Sequence, residues 1–198
     1  MAESKIPTNE EIIEMIPSKA VREYLVKINW QFDEHERDIL RRYIKPKNKK
    51  EADSVYAEQN YVTLPHPFRK SDIVTVCDKR FKNRKPEIGI MWSPKDDEEF
   101  WNFDKRAKTD LKGFVDFTDV CTTVDFLSPE DGFFRHGHPN PLWIEYAELD
   151  EDSAEARFLR SAVKLQNGNG SLEETDELRS EYVASRKKKI SKNLGGIK

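Results

Sequence analysis

An α+β protein is what this sequence predicts, with a small, curled antiparallel sheet in the middle of the chain and helices on either side of it. Three observations carry that expectation. Residues 8–44 hold three apolar stripes of helical period, residues 61–149 change to short β-branched and aromatic runs of period two, and from residue 150 the helical period returns. The divisions that follow are a helical unit with a basic connector over 1–60, a sheet domain with one inserted helix over 61–149, and a charged helical extension over 150–198.

The helical unit is read from its caps. Thr8 and Glu11 have the form of a capping box, Pro17 stops that helix, Ser18 caps the next, and Asp33 with Glu36 repeats the box before the stripe Ile39, Leu40, Tyr43 and Ile44. Trp30 and Phe32 lie in the connection and are expected to pack between the helices. Residues 45–50 break the pattern, and residues 51–59 add a short helical stretch.

The strands are read from alternation. Residues 61–64, 73–77 and 88–92 are apolar and β-branched, and residues 119–127 alternate, with Val120, Thr122, Val124 and Phe126 on one side and Cys121, Thr123, Asp125 and Leu127 on the other. Pro129-Glu130-Asp131-Gly132 turns the chain into a hairpin partner at 133–136, and residues 142–149 read as a closing strand. Five or six such strands suit a small SH3-like barrel or a strongly curled sheet. Pro94 and the acids after it start a helix inserted between strands. Ala154, Phe158, Leu159, Ala162 and Val163 stripe a later helix, residues 167–170 end it, and a last helix from Leu172 to about residue 189 has few apolar positions.

The net charge is −3, which does not announce a nucleic-acid partner, but the charge is segregated. Residues 41–50 hold six bases and no acid, residues 136–156 hold six acids and no Lys or Arg, and every charge after residue 185 is basic. Two cysteines, Cys77 and Cys121, cannot build a disulfide framework for 198 residues, so a reducing compartment is expected. No apolar run approaches the roughly 18 residues of a membrane span, and the N-terminus reads without a signal region, which makes a cytoplasmic setting the expectation.

Residues 67–74 in the pattern Pro-Phe-x-x-x-Asp-Ile-Val, Gly89, Asp119-Val120, and the run from Asp131-Gly132 through His136, His138 and Pro141-Leu142 resemble an uncharacterised group of bacterial accessory-genome proteins of phage and plasmid type. Ile16-Pro17-Ser18-x-x-Val21-Arg22-x-Tyr24 matches the group's helical N-terminus, and the resemblance covers roughly residues 16–148. It implies a helical start followed by an SH3-like, KOW-like barrel, and it lends no activity. The group begins its first strand with Gly-Asp, where this chain has Ser71-Asp72, so a glycine-borne tight turn is missing here.

Four groups of residues carry candidate chemistry. Lys79, Arg80, Phe81, Lys82, Arg84 and Lys85 put one aromatic among five cations in a loop, the arrangement that stacks a base and holds phosphates. Asp96, Asp97, Glu98, Glu99 and Trp101 form an acidic, aromatic-bearing segment suited to a protein partner or to the basic groove of a nuclease. His136 and His138 alternate, so both could face one metal with Asp131 or Glu145 as a third ligand in a metal-dependent hydrolase; two His and an acid fall short of a recognisable zinc pattern, and a rigid turn is the competing reading. Cys77 or Cys121 beside His66 or His136 would be the thiol arrangement, against which stands their position in apolar strands. No Gly-rich phosphate loop is present. The expectation is therefore a non-enzymatic binding protein without a cofactor, acting through protein contacts as a regulator or inhibitor, with nucleic-acid binding as the alternative.

Overall fold

Each N-terminal helix begins where a side chain can take up its orphan backbone donors. In the computed structural model, which describes residues 6–58, 62, 64–78, 80, 85–92 and 123–195, Thr8 and Glu11 form a complete capping box on α1 (Asn9–Met15), and Asp33 and Glu36 do the same on α3 (Glu34–Ile44). Ser18 caps α2 (Lys19–Lys27), which ends on Asn29 at φ 52°, with the Trp30 N–H returning to the Leu25 carbonyl. A fourth helix, α4 (Lys49–Glu58), is a full ten residues, longer than its sequence signal.

The strands are β1 (Ile73–Val76), β2 (Glu87–Trp92), β3 (Thr123–Leu127), β4 (Phe134–Gly137) and β5 (Ile144–Tyr146). All pairings are antiparallel, in the order β4-β3-β2-β1-β5, so four strands meander and the fifth returns to the first. The sheet is open, with β4 and β5 at its edges, and the closed barrel expected from the sequence is not found among the described residues. Of the strand expected at 61–64, residues 61 and 63 lie outside the described residues, while Leu64 and His66 are buried as irregular chain in the Pro65- and Pro67-containing segment before β1. Asn140 caps a 3₁₀ turn, Pro141–Trp143, which takes the first two residues of the expected closing strand, and β5 ends at Tyr146, short of the expected residue 149.

Alternation along the strands divides the core in two. Val74, Val76, Met91, Val124 and Ile144 face the N-terminal helices, burying Ile12, Ile16, Leu25, Leu40 and Tyr43 against Leu142 and Trp143. On the opposite face, Ile90, Leu127 and Phe134 pack against Phe158, Leu159 and Tyr182 of α5 (Ala154–Gln166) and α6 (Leu172–Gly195). The result is helices, sheet and helical hairpin in three layers. Gly89 sits where β2 and β3 approach too closely for a side chain, since a Cβ there would fall 2.6 Å from the Asp125 carbonyl oxygen. The inserted helix expected after Pro94 lies outside the described residues. No helix among the described residues is long and apolar enough to cross a membrane.

Candidate binding site along β4

Strand register assembles the site. Trp92 pairs with Thr123 and Ile90 with Asp125 across β2 and β3, and Asp125 pairs with His136 across β3 and β4. Alternation then puts Ile90, Trp92, Thr123, Asp125, Leu127, Phe134 and His136 on one face. The α5–α6 hairpin packs on Ile90, Leu127 and Phe134, while two residues further along β4 the His136 ring is exposed, as is His138.

The exposed half is an ordered cluster of rings. His136 Nδ1 lies 2.8 Å from Asp125 Oδ1, and His138 Nδ1 lies 3.2 Å from Thr123 Oγ1. The two imidazoles meet edge to face with centroids 5.2 Å apart, and the Trp92 ring meets His136 edge to face at 5.6 Å. A carboxylate with no proton can only accept, so the His136 Nδ1–H donates to Asp125, and in the neutral ring that tautomer leaves the Nε2 lone pair for a ligand. Thr123 is fully buried, which removes its hydroxyl as a nucleophile even though an imidazole touches it. What the cluster presents to solvent is two imidazoles, groups able to hydrogen-bond or ligate.

Beside it lies an apolar pocket of about 290 Å³ between the β3–β4 turn and the helical hairpin, floored by Phe133, Phe134, Phe158, Ala162 and Leu165. Phe133 is 56% exposed, and the Arg179 guanidinium stands 4.3 Å from its ring centroid. Gln166, also on the wall, has a buried Oε1 with no partner among the described residues. Gly132 makes this geometry possible: its φ is +70°, and a Cβ would lie 2.6 Å from Arg179 Cγ.

The residues singled out in the sequence fare unevenly. Lys79, Phe81, Lys82 and Arg84, and the whole acidic group Asp96, Asp97, Glu98, Glu99 and Trp101, lie outside the described residues. Lys85 is exposed. Arg80 turns inward: it pairs with Asp78 at 2.6 Å and 2.9 Å, donates to the Tyr43 hydroxyl at 2.9 Å, and lies 3.9 Å above the Tyr43 ring. Burial pushes the Tyr43 phenol up. In the basic connector, Arg41 and Arg42 both bond to Asp38, leaving lysines as the exposed cations there.

His136 and His138 do come together, but the expected third ligands are elsewhere. The Asp131 carboxyl, held below its usual value by the nearby Ser128 hydroxyl and the Phe133 N–H, belongs to the β3–β4 turn. Glu145 accepts from the Lys19 and Ala20 N–H groups at 2.5 Å and 3.2 Å, at the positive end of α2. Among the described residues no group of three or more His, Cys, Asp or Glu side chains is placed to hold a metal ion. His66 is buried against Phe68, with ring centroids 5.5 Å apart, and Cys121 lies outside the described residues. Sequence reasoning passed over Asp125, whose signal was an acid set between Val124 and Phe126 in mid-strand, facing the same way as an apolar neighbour. No protein-family model matches the chain, and no curated protein and no solved structure matches it.

Proposed function

We propose that the chain is a non-enzymatic binding protein that docks on another protein through the strip along β4. The observation that carries this reading is the continuity of the two halves of that strip: Phe134 floors an apolar pocket, and His136, two residues on and on the same face, belongs to an exposed ring cluster. An apolar pocket beside rigid aromatic and polar groups is the layout of an interface hot spot, where one anchor side chain is desolvated and the rim supplies register. The occupant that fits is a Tyr or Trp side chain of the partner, with a ring for the three phenylalanines and a donor for Gln166 Oε1. Charge favours a basic partner surface, because Asp125 and Asp176 border the strip and the segment after Trp92 carries Asp96, Asp97, Glu98 and Glu99.

A regulator or inhibitor from a mobile genetic element would act in this way, for instance against a basic nuclease groove in the cytoplasm. The meander with a fifth strand returned to the first is, in this reading, an SH3-like arrangement. The nucleic-acid alternative loses one cation, since Arg80 is engaged with Asp78 and Tyr43.

Capture from a host extract tests the reading, with nuclease-treated eluates compared for the native chain, Phe133→Asp and a Trp92→Ala, His136→Ala double variant. A protein retained by the native chain and lost from both variants, with unchanged melting, is the expected result. Retention by both variants, or an eluate emptied by nuclease, overturns it.

A further inference from the structure

We infer that His136 and His138 form a two-imidazole site for a divalent transition-metal ion, held in shape by Asp125 and Thr123. Both rings are anchored through the same atom, Nδ1, at 2.8 Å from Asp125 Oδ1 and 3.2 Å from Thr123 Oγ1. Fixing one ring nitrogen by a carboxylate or hydroxyl acceptor, with the other nitrogen left to the ion, is how ligating histidines are oriented. The Thr123 hydroxyl accepts from the His138 Nδ1–H in the ligating tautomer, as Asp125 does from His136.

Spacing agrees with chelation. A tetrahedral ion bound by two imidazole nitrogens at about 2.0–2.1 Å brings the ring centroids to roughly 5 Å from one another. The observed separation is 5.2 Å, with the rings at 89°. Residues two apart at the end of a strand project to the same side, and both imidazoles are exposed, so an ion enters directly from solvent. Imidazole donors suit zinc, nickel and copper rather than magnesium or calcium, and on the usual affinity order copper binds more tightly than zinc. With no third side chain in place among the described residues, water completes the coordination sphere. The site needs no protein partner, so it stands or falls apart from the docking reading.

Calorimetric titration of the untagged, full-length chain with zinc chloride tests it, alongside NMR detection of the imidazole nitrogens. Expected are one zinc per chain, loss of that binding in His136→Ala and in His138→Ala, and an affinity about tenfold lower in Asp125→Asn, where a positioning residue is weakened. The Nε2 resonances of both histidines shift on zinc addition, and circular dichroism stays unchanged in every variant. The inference is overturned by a native chain that takes up no zinc, by a double His variant that binds as the native chain does, or by Nε2 resonances that do not move.

Discussion

The two helical layers cover the sheet by different means. The N-terminal layer is bonded to the sheet edge through polar links that cross great sequence distances: the buried Ser18 hydroxyl donates to the Ile144 carbonyl at 2.6 Å, Glu145 seats on the start of α2, and Arg80 is clamped between Asp78 and Tyr43. The C-terminal hairpin is largely bonded to itself. Phe158 stacks on Tyr182 at 5.8 Å, Ser161 donates to Thr175, whose own hydroxyl donates to the Ser171 carbonyl, and Arg157 pairs with Glu181. It meets the sheet on an apolar strip, and where that strip stops, the pocket and the ring cluster begin. The candidate site lies here because the second layer covers only part of its sheet face, whereas the first is part of the frame.

Truncation within the two regions separates these roles most sharply. Phe68 is 1% exposed, with its ring 5.1 Å from Tyr146 and 5.5 Å from His66, so Phe68→Ala should lower stability by about 3–5 kcal/mol in urea titrations. Phe133→Ala, in the candidate site, should cost about 0.5 kcal/mol or less, as an exposed position does. Equal losses would break the distinction between frame and site. Next in size, Arg80→Ala strands the Asp78 carboxylate, itself only 7% exposed, and should cost about 2–3 kcal/mol. Arg80→Lys should recover little of it, because an ammonium cannot reproduce the planar fork over the Tyr43 ring.

Alkaline unfolding probes the second layer. The Tyr182 phenol is pushed up to about 12, chiefly by burial and further by the Glu155 carboxylate. An unfolded Tyr ionises near its ordinary value of 10.0, so between there and about 12 the unfolded chain has shed a proton that the folded chain keeps. Stability is undiminished by this group below pH 10 and falls as pH rises through that window. Urea midpoints measured from pH 9 to 11.5 should decline, and Tyr182→Phe should flatten the decline. Some slope should remain from Tyr43, whose phenol burial also raises.

Helix starts were the most legible part of the chain, because a cap is a local event. Thr8 with Glu11, Ser18, and Asp33 with Glu36 act in the structure as their spacing predicts. The β3–β4 hairpin was legible for the same reason, its register being fixed by a short turn. What stayed hidden depends on pieces far apart. Arg80 reads as one of five loop cations until Tyr43, 37 residues away, is brought beneath it. Glu145 reads as a spare acid until α2 is laid beside β5, 126 residues from it. The site was half legible: alternation gives the pairing of His136 with His138, but only the ladder register supplies Asp125 and Trp92.

The smallest effect tests the seam between the hairpin and the sheet. Ser71 occupies the place where glycine was expected, and it adopts glycine's conformation, with φ at 72°, while its N–H donates to the Met91 carbonyl at 2.8 Å. The turn before β1 thus forms without glycine, held also by Asp72, whose carboxylate accepts from the Arg69 N–H. Left-handed backbone costs a side-chain-bearing residue roughly 1–2 kcal/mol. Ser71→Gly removes that strain, gives back roughly 0.4–1 kcal/mol through the looser unfolded chain, and deletes an exposed hydrogen bond from Ser71 Oγ to Asn167 Oδ1 at the end of α5. The balance should be a gain of about 0.5 kcal/mol at most, seen as a small rise in the urea midpoint. A loss instead would mean that the Asn167 contact ties hairpin to sheet more firmly than the apolar strip does, and the two layers would then differ in degree and not in kind.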